Sequence, residues 1–486
     1  MAQEILVNMT PREVRVALLE SGILQEIHIE RSISHGLLGN IYKGRVARLL
    51  PGIQAAFIDI GLDRSAFLHI SDMSSAATPP AQDIRELLTV GQEILVQVYK
   101  DQLGTKGARL TTQFTIPSRY LVLTPQVQQI VVSQKISAEG ERKRLMEMIT
   151  PTRQGGFIFR TAAENVTQEA IDAEKEFLST LWKEVAKRAK TARPMTMVYE
   201  EIPIVLRVLR DLVGYDVENI RVDNLEAAVQ MRTFAERYVP MLASRVEFYE
   251  GTSPIFDLYG VEDELQRALQ RNINLKSGGH LVFDQTEAMT TIDVNTGSYV
   301  GHINLEQTIF RTNLEAVEVI ARQIRLRNLG GIIIIDFIDM SDAAHKEHLL
   351  TALTAAMAKD SARTQISELS SLGLVQMTRK RTRESLEHIL CLPCPLCQKR
   401  GSIKSVATIC YEIFRELQRA AKLFQWPGFV VAVSPAVAAE LMNEQSTMLA
   451  DLETQLGKVI KLRSEHSFVQ EQYQILPWAD RNEVCQ

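Results

Sequence analysis

The sequence predicts a multidomain protein of the α/β class with a small β-barrel near its N-terminus. Its 486 residues exceed what one hydrophobic core can organise, and ordinary domain sizes imply about three to five domains. Short alternating segments between 39 and 115 predict the barrel, and a strand–helix–strand order after 280 predicts the α/β core. With 45% hydrophobic and 23% charged residues, the composition is that of a folded protein.

The overall charge indicates no particular partner. Because the formal net charge is -5, binding to a nucleic acid would have to depend on local basic patches. The N-terminal segment MAQEILVNMT has no basic start followed by an apolar stretch, and the longest aliphatic run, Ile332 to Ile335, is far too short for a membrane span. We therefore expect a cytoplasmic protein.

The predicted barrel consists of the segments NIYKGRVARLL, IQAAFIDIG, SAFLHISDM, EILVQVYKD and LGTKGARLT. Each alternates apolar and polar residues between turn signals, and about five strands in about 75 residues fit an oligonucleotide-binding barrel. Phe57 and Phe67 are candidates for stacking on bases, with Lys106 nearby for the backbone. Both phenylalanines fit the barrel core equally well, since each lies in a half-buried pattern.

The next part of the chain is predicted to be a small mixed domain. Segments 141–150 and 168–191 have helical periodicity, and GGFIFRT at 155–161 has the composition of a buried strand. Arg160 and Thr161 follow that strand, and a guanidinium beside a hydroxyl can hold a phosphate monoester.

An α/β core is predicted from 280 onward, where the strands LVFDQ and AMTTIDVNTG precede an amphipathic helix and the strand IIIIDF. A single helix from about 255 to 272 is expected before it, with one apolar face formed by Ile255, Leu258, Val261, Leu265 and Leu269. After it, a helix at 405–424 and the strand VVAVSP predict a further small α/β piece.

Two carboxylates in the α/β core are candidate metal ligands. Alternation places Asp293 and Asn295 on one side of their strand near its end, and Asp336 ends the IIIIDF strand. If these strands are neighbours, the carboxylates converge and provide oxygen ligands for magnesium, with Asn295 orienting Asp293. The alternative is that each aspartate only caps a turn. Asp339 is expected to cap the next helix.

Three of the five cysteines, Cys391, Cys394 and Cys397, lie close together in sequence, which favours metal binding over disulfides. CPLC at 394–397 has the spacing of two zinc ligands, but tetrahedral zinc needs four. Either Cys391 and Cys410 complete the site within one chain, or two chains contribute a pair each. Unliganded thiols are the remaining alternative.

A run of basic residues, MTRKRTRESL, follows the strand-like GLVQM. It places Arg379, Lys380, Arg381 and Arg383 within five residues, and Arg379 and Arg381 are our candidates for contacts with RNA phosphates. A solvated basic turn is the alternative explanation.

Several motifs together are similar to one known family. NIYKGRV, QAAFIDIG, GTKGARLTT, FRTAAE, DQTEAMTTIDVNTG, RNLGGIIIIDFIDM, MTRKRTRESLEH and CPLC occur in this order and resemble the ribonuclease E/G family over essentially the whole chain. The combination of IDVN with IIDFIDM is the most specific part of the match. The end of the chain at 486 favours those members that lack a long disordered tail.

The resemblance implies seven segments: N-terminal strands of a ribonuclease H-like domain (1–35), an S1 RNA-binding barrel (36–115), a 5′-phosphate sensor (116–201), the remainder of the ribonuclease H-like domain (202–269), a deoxyribonuclease I-like catalytic domain (270–390), a zinc link (391–404) and a small C-terminal domain (405–486). The same resemblance implies roles for particular residues: magnesium ligands Asp293 and Asp336 with Asn295 in support, a 5′-phosphate pocket at Arg160 and Thr161, and RNA contacts at Phe57, Phe67 and Lys106.

The activity that the resemblance implies is magnesium-dependent cleavage of single-stranded RNA by water, giving 5′-phosphate and 3′-hydroxyl ends and stimulated by a 5′-monophosphate. Roles in rRNA processing and mRNA decay are implied with it. A homodimer would share one zinc ion through Cys394 and Cys397 of each protomer, although Cys391 leaves a different ligand set open. The competing hypotheses are a non-catalytic RNA-binding scaffold and a general phosphodiesterase that also acts on DNA.

Overall fold

The structure, a computed structural model, describes residues 3–31, 36–73, 83–102, 107–150, 155–212, 217–297, 305–370, 372–381, 383–397 and 400–478. The chain divides into two compact units, Met1–Ile389 and Leu390–Gln486. Within the described ranges, none of the helices combines the length and apolar character needed to cross a membrane.

The strands of the first unit are β1 (Gln3–Met9), β2 (Glu13–Glu20), β3 (Ile23–Arg31), β4 (Ile41–Leu50), β5 (Ala55–Asp59), β6 (Ala66–His69), β7 (Glu93–Lys100), β8 (Arg109–Thr111), β9 (Ile116–Pro117), β10 (Leu121–Thr124), β11 (Ile130–Val132), β12 (Gly156–Phe159), β13 (Thr196–Tyr199), β14 (Val217–Val222), β15 (Val246–Phe248), β16 (Asn272–Asn274), β17 (His280–Gln285), β18 (Met289–Asn295), β19 (Gly331–Asp336), β20 (Thr364–Leu369) and β21 (Leu374–Arg379).

The helices up to residue 390 are α1 (Ile84–Leu87), α2 (Glu139–Met148), α3 (Gln168–Thr191), α4 (Ile204–Arg207), α5 (Leu225–Tyr238), α6 (Pro240–Ala243), α7 (Ile255–Leu258), α8 (Val261–Ala268), α9 (Leu305–Leu326), α10 (Ala343–Met357) and α11 (Leu386–Leu390). Short 3-10 turns lie at Pro51–Ile53, Ile70–Asp72 and Thr161–Ala163, and a π-helical turn lies at Val208–Leu212. The second unit contains α12 (Val406–Leu423), β22 (Gly428–Val433), α13 (Pro435–Met442), α14 (Ser446–Leu456), β23 (Val459–Ser464) and β24 (Tyr473–Trp478).

The barrel predicted near the N-terminus is present as a sheet with the order β13-β4-β5-β6-β8-β7, closed by pairing of β4 with β7. Its interior is filled by alternate residues of each strand, among them Ala56, Ile58 and Leu68. At Gly44 a Cβ atom would lie 2.5 Å from Ile58 Cγ2, so the closure leaves room only for glycine there. The strand β13 joins the edge of β4 from far along the chain.

A five-stranded sheet with the order β15-β14-β1-β2-β3 combines the three N-terminal strands with two strands from much later in the chain. The N-terminal strand β1 pairs in parallel with β14, more than 200 residues away, through partners such as Ile5 and Ile220. Both side chains are fully buried in a core that also includes Met231 of α5. The segments 1–35 and 202–269 therefore contribute to one sheet.

A four-stranded sheet with the order β11-β12-β10-β9 carries α2 and α3, whose predicted positions agree with the structure. Phe157 and Phe159 of β12 are fully buried against these helices, and Leu145 and Leu178 belong to the same core.

The single helix expected at 255–272 is wrong, because the structure has two short helices, α7 and α8. Gly260 lies between them with φ +65°, a left-handed conformation that interrupts a right-handed helix. Leu258, which we placed on the buried face, is 59% exposed, whereas Val261 and Leu265 are buried.

The α/β core has the sheet order β16-β17-β18-β19-β21-β20. The strands β18 and β19 run parallel, whereas β17–β18 and β19–β21 on either side are antiparallel pairs. The helix α9 lies between β18 and β19 in the chain, as the crossover of a parallel pair requires. Ile333 and Ile335 of β19 pack with Val317 and Ile324 of α9 in one hydrophobic core.

The second unit is a three-stranded sheet with the order β23-β22-β24, which shares a hydrophobic core with α12, α13 and α14. The positions of α12 and β22 agree with the helix and strand predicted from the sequence.

Candidate active site

The two predicted metal ligands lie side by side. In the parallel pair β18–β19, Asp293 is the direct register partner of Asp336. Their strand neighbours Ile292, Val294 and Ile335 are buried, whereas both aspartates are exposed on the opposite face of the sheet. The sequence prediction depended on the strands being neighbours, and the structure makes them so.

Asn295 holds one of these carboxylates. Its Nδ2 donates a hydrogen bond of 2.7 Å to Asp293 Oδ2. The two residues are two apart on one strand and therefore point to the same face. The amide therefore restricts the orientation of the Asp293 carboxylate.

The loop after β19 is held by a buried residue of α9. Asn313 is fully buried, its Nδ2 donates to the carbonyl of Ile338 at 2.8 Å, and its Oδ1 accepts from the amide of Ile338 at 3.1 Å. Because Ile338 is two residues beyond the strand end, this pair of bonds fixes the loop that carries Asp339. A loop anchored in this way can keep charged groups at defined positions.

Asp339 does not cap the following helix, as we had expected. The N-cap of α10 is Asp342, whose side chain accepts a hydrogen bond from the amide of Ala344 at 2.8 Å. Asp339 lies instead against the turn at Gly373, where a Cβ atom would be 3.1 Å from its Oδ1. It is therefore a third acidic group near Asp336.

The electrostatics of this cluster are those of uncompensated negative charge. Partial burial is the largest effect that raises the pKa of Asp336, and the charges of Asp293 and Asp339 raise it further. Among the described residues no ion pair neutralises any of these three aspartates. Exposed carboxylates that repel each other and are held by the fold form a favourable site for a divalent cation.

The donor set fits magnesium better than a softer metal. Carboxylate oxygens are hard ligands. Within the described parts of the chain, no three His, Cys, Asp or Glu side chains are grouped around one metal position, so Asp339 does not complete a set of three carboxylates. Two protein carboxylates with the remaining positions open to water and substrate are typical of magnesium sites that act on phosphates. Asp293 and Asp336 are thus the residues that could hold such an ion.

Arg379 is not available to RNA, which corrects our prediction. It is 5% exposed. Its Nε donates to Asp360 Oδ2 at 2.6 Å, its Nη2 donates to Asp360 Oδ1 at 3.1 Å, and its Nη1 donates to Asn328 Oδ1 at 2.9 Å and to the carbonyl of Leu329 at 2.8 Å. Strand alternation points this side chain into the core, where it is part of the structure.

Arg381, two residues further on, is exposed. Its Nε donates to the carbonyl of Gly330 at 3.0 Å, and a Cβ atom at Gly330 would lie 2.6 Å from Arg381 Cγ. The glycine allows the arginine to lie across the start of β19 with its end group accessible, so Arg381 stays a candidate for a phosphate contact.

The predicted phosphate pocket contains two residues with different partners. Arg160 Nη1 donates to Asp211 Oδ1 and to the carbonyl of Ser118, both at 2.7 Å. The exposed Thr161 has its hydroxyl 3.2 Å from the hydroxyl of Ser133. A phosphate bound here would share Arg160 with the carboxylate of Asp211.

Phe57 and Phe67 lie outside the barrel core. They are half-buried register partners on β5 and β6, with ring centroids 6.0 Å apart at an angle of 72°. Their strand neighbours Ala56 and Leu68 point inward, so the phenylalanines face outward as a stacking platform requires. Lys106 lies outside the described residues.

Of the four cysteines that the structure describes, Cys391 is exposed like the neighbouring CPLC pair, whereas Cys410 lies in the core. Cys394 is exposed, Cys397 is partly exposed, and hydrogen bonds from the backbone of Cys397 and Leu396 lower the pKa of Cys394. Cys410 is buried in the hydrophobic core of the second unit, where burial raises its pKa to about 11. Within the described residues no three of these thiols are grouped around one metal position, so the structure does not support the alternative that Cys391 and Cys410 complete a site within one chain.

Comparison with known proteins decides the family. A family model described as "Ribonuclease E/G family" matches residues 115–382, more than half of the chain. The chain belongs to the ribonuclease E/G family. A model described as "S1 RNA binding domain" matches residues 38–113, and one described as "RNase E/G, Thioredoxin-like domain" matches residues 393–480.

Full-length relatives agree with this family assignment. Ribonuclease G of Salmonella typhimurium (strain SL1344) is 51% identical over 98% of this chain and 100% of that protein, and ribonuclease G of Escherichia coli (strain K12) is 50% identical over the same shares. Ribonuclease E of Escherichia coli (strain K12) is 33% identical over 93% of this chain and 44% of that protein. The chain is thus more similar to these ribonuclease G proteins than to this ribonuclease E, over 98% of its own length and the full length of the ribonuclease G proteins.

The sequence analysis gave Asp339 the wrong role and missed two further polar residues. Asp339 lies within the IIIIDFIDM segment, where its distance of three residues from Asp336 was a usable signal for a place near the carboxylate pair. Asn313 and Asp360 gave none, because each acts on a partner that is distant in sequence, Ile338 for the first and Arg379 for the second.

Proposed function

We propose that this chain cleaves single-stranded RNA in a magnesium-dependent reaction at the Asp293–Asp336 pair. The enzyme class follows from the relatives and the family model: the chain is an endoribonuclease. The observation that supports the proposed site is the register pairing of two exposed carboxylates whose charges are not neutralised within the described residues. Few positions in a fold tolerate this arrangement without a functional reason.

The residues of this chain would position the reacting groups. Asp293 and Asp336 would hold the metal, Asn295 would orient Asp293, and Asn313 would fix the loop that follows Asp336. When bound, magnesium supplies a Lewis acid that makes water a better nucleophile and reduces the negative charge at the phosphate. Water attack on phosphorus with departure of the 3′-oxygen leaves 5′-phosphate and 3′-hydroxyl ends.

The preference for single-stranded RNA would come from binding. Because water is the nucleophile, the neighbouring 2′-hydroxyl is not chemically required. The S1 barrel presents Phe57 and Phe67 on its outer face, and aromatic rings stack on unpaired bases. Arg381 is an exposed candidate for a phosphate contact at the start of β19.

Stimulation by a 5′-monophosphate is proposed for the pocket at Arg160 and Thr161. The guanidinium of Arg160 is already held in place by Ser118 and Asp211, so it is preorganised for a second anion. A 5′-hydroxyl end offers no charge to this pocket. In keeping with the family, we propose that the enzyme acts in rRNA processing and mRNA decay.

We also propose a homodimer that shares one zinc ion. Cys394 and Cys397 have the spacing of a ligand pair, and the backbone hydrogen bonds to Cys394 favour its thiolate. Replacing both residues by serine should release zinc and reduce the mass in solution to that of a monomer. A Cys410→Ser variant is the matched control and should keep metal and mass. A dimer that persists without zinc would contradict the shared site.

The main test is cleavage of one short single-stranded RNA with a 5′-monophosphate or a 5′-hydroxyl, with and without magnesium, by the wild type and Asp293→Asn. We expect magnesium-dependent cutting that the monophosphate accelerates and the variant loses. Asp451→Asn, a change at an exposed aspartate of α14, is the control and should cut normally.

Two results would favour the competing hypotheses. A wild type that binds RNA but never cuts it under any of these conditions would support a non-catalytic scaffold. Equal rates on RNA and DNA, without an effect of the 5′ end, would support a general phosphodiesterase. Cleavage that survives both Asp293→Asn and Asp336→Asn would show that the proposed site is wrong.

A further inference from the structure

The outer face of the barrel carries more than the two phenylalanines. In the order β5-β6-β8-β7, neighbouring strands bring together Phe57, Phe67, Arg109 and Tyr99, one from each strand. Phe67 is the register partner of Arg109, just as Phe57 is the partner of Phe67. The four side chains therefore form a row across the barrel.

Arg109 lies between two aromatic rings of this row. Its guanidinium carbon is 5.6 Å from the ring centre of Phe67 and 5.7 Å from that of Tyr99. The side chain is 43% exposed, so one surface of the guanidinium faces solvent. A planar cation between two rings continues the flat apolar surface and adds positive charge to it.

Tyr99 is held in place by a residue next to the row. Its hydroxyl donates a hydrogen bond of 3.0 Å to Asp72 Oδ2. Arg109 Nη2 is 3.9 Å from the same oxygen, too far for a hydrogen bond, so Asp72 orients the tyrosine without holding the arginine tightly. Thr111 in turn donates to the backbone carbonyl of Asp72 at 2.7 Å.

The hydrophobic core does not account for this arrangement. Tyr99 and Arg109 are partly exposed, and the buried core of the barrel is formed by their strand neighbours Val98 and Leu110. An aromatic ring whose hydroxyl is fixed and whose face is partly open is suited to contact with a planar ligand.

We propose that Arg109 and Tyr99 form a second base-stacking site, next to the Phe57–Phe67 pair, for a neighbouring nucleotide of single-stranded RNA. This inference rests on the proposed function of the barrel face. Barrels of this type cover about 4–16 nucleotides, more than one phenylalanine pair can contact. Stacking accepts any base, and the guanidinium can also bind a phosphate, so the second site strengthens binding without selecting a sequence.

The test compares RNA binding and steady-state cleavage of Tyr99→Leu, Tyr99→Phe, Arg109→Gln and Arg109→Lys. Loss of the ring in Tyr99→Leu should weaken binding about 5- to 30-fold and raise KM with kcat unchanged. Tyr99→Phe retains the ring and should stay close to the wild type. Arg237→Gln is the matched control, because Arg237 also lies over a tyrosine, Tyr238, at 5.3 Å, but in the helix α5 and not in the barrel.

The salt dependence separates charge from stacking at Arg109. If its guanidinium binds a phosphate, Arg109→Gln should reduce the slope of log affinity against log salt by about 0.7, whereas Arg109→Lys should keep the slope. A Tyr99→Trp variant reports stacking directly, because its fluorescence should be quenched by RNA beyond the change seen in the wild type. This readout remains informative if Tyr99→Leu folds poorly.

The outcomes distinguish this inference from the proposed function. If Phe67→Ala weakens RNA binding while Tyr99→Leu and Arg109→Gln do not, the second site is refuted and the RNA-binding face remains. If Phe67→Ala has no effect either, the assignment of the whole face is wrong. An unquenched tryptophan at position 99 in a variant that binds RNA normally would also overturn the second site.

Discussion

The two ends of the strand β19 differ in how the charged side chains beside them are surrounded. At its carboxyl end Asp336 lies beside Asp293, exposed and repelled by its neighbours. At its amino end Gly331 pairs with Arg379, a buried cation whose donors are bound by Asp360, Asn328 and a carbonyl. One strand of six residues thus separates an acidic site, which no ion pair within the described ranges neutralises, from a basic side chain that is neutralised by its partners.

This contrast shows which charged residues serve the fold and which are free for a ligand. A buried charge is tolerated only when hydrogen bonds and an opposite charge replace its hydration, and Arg379 satisfies this condition. Exposed aspartates without a counter-ion are costly for the fold and useful for a cation. The predictions below test the two ends separately.

The largest effect is expected from Asp336→Asn. Loss of one metal-binding carboxylate removes several kcal/mol of transition-state stabilisation, so cleavage should fall about 10³-fold. The fold should be as stable as the wild type or slightly more so, because a repelled charge is removed. Single-turnover kinetics of this variant measure the cleavage rate, and thermal unfolding measures its stability. A variant that unfolds early would place Asp336 among the structural residues.

The opposite result is expected from Arg379→Met. Removing one partner of a buried ion pair leaves Asp360 uncompensated, so the free energy of unfolding should fall by about 3–5 kcal/mol. The matched control is Arg381→Met, an exposed arginine two residues away, whose effect should stay within about 0.5 kcal/mol. Urea unfolding of both variants gives the comparison. Equal stabilities would show that Arg379 is not the structural residue described here.

His28 of β3 is a buried ionisable side chain close to the basic run, and it should make the stability of the fold depend on pH. Burial is the main cause that lowers the pKa of His28 to about 4 from 6.5, and the charge of Arg383 lowers it further. Between these values the unfolded chain binds a proton that the folded chain does not. Acid therefore favours unfolding in this window, and stability should fall by about 3 kcal/mol from pH 6.5 to 4.

The measurement is urea unfolding between pH 7 and 4, with Trp182 as the fluorescent probe after Trp426 and Trp478 are replaced by phenylalanine. In His28→Gln the slope in this window should largely disappear, while the exposed His466→Gln should keep it. The pKa of Glu26, lowered to about 2, adds a separate loss of stability only below about pH 4.5. A His28→Gln variant with an unchanged slope would contradict the assignment.

A smaller effect on the acidic end is expected from Asn295→Ala. The amide only orients Asp293, so its loss should reduce cleavage or magnesium affinity about 10- to 100-fold, less than loss of a carboxylate. Raising the magnesium concentration should restore part of the rate, which distinguishes positioning from direct participation. Magnesium titrations of the cleavage rate provide the measurement. A rate loss equal to that of Asp336→Asn at every magnesium concentration would contradict a positioning role.

Local patterns in the sequence were enough to identify which residues share a face. Alternation placed Asp293 and Asn295 together, and helical periodicity located α3 and α12, because both patterns repeat within a few residues. Family motifs added the identity of the enzyme. The break at Gly260 was missed because the apolar spacing continues across it.

Contacts between distant segments could be decided only by the tertiary structure. The register of Asp293 with Asp336, the pairing of β1 with β14 and the burial of Arg379 depend on partners that are 19 to 215 residues away. Within the basic run MTRKRTRESL, the neighbouring sequence does not distinguish the buried Arg379 from the exposed Arg381. They differ because the strand turns one toward Asp360 in the core and lets the other lie over Gly330 at the surface.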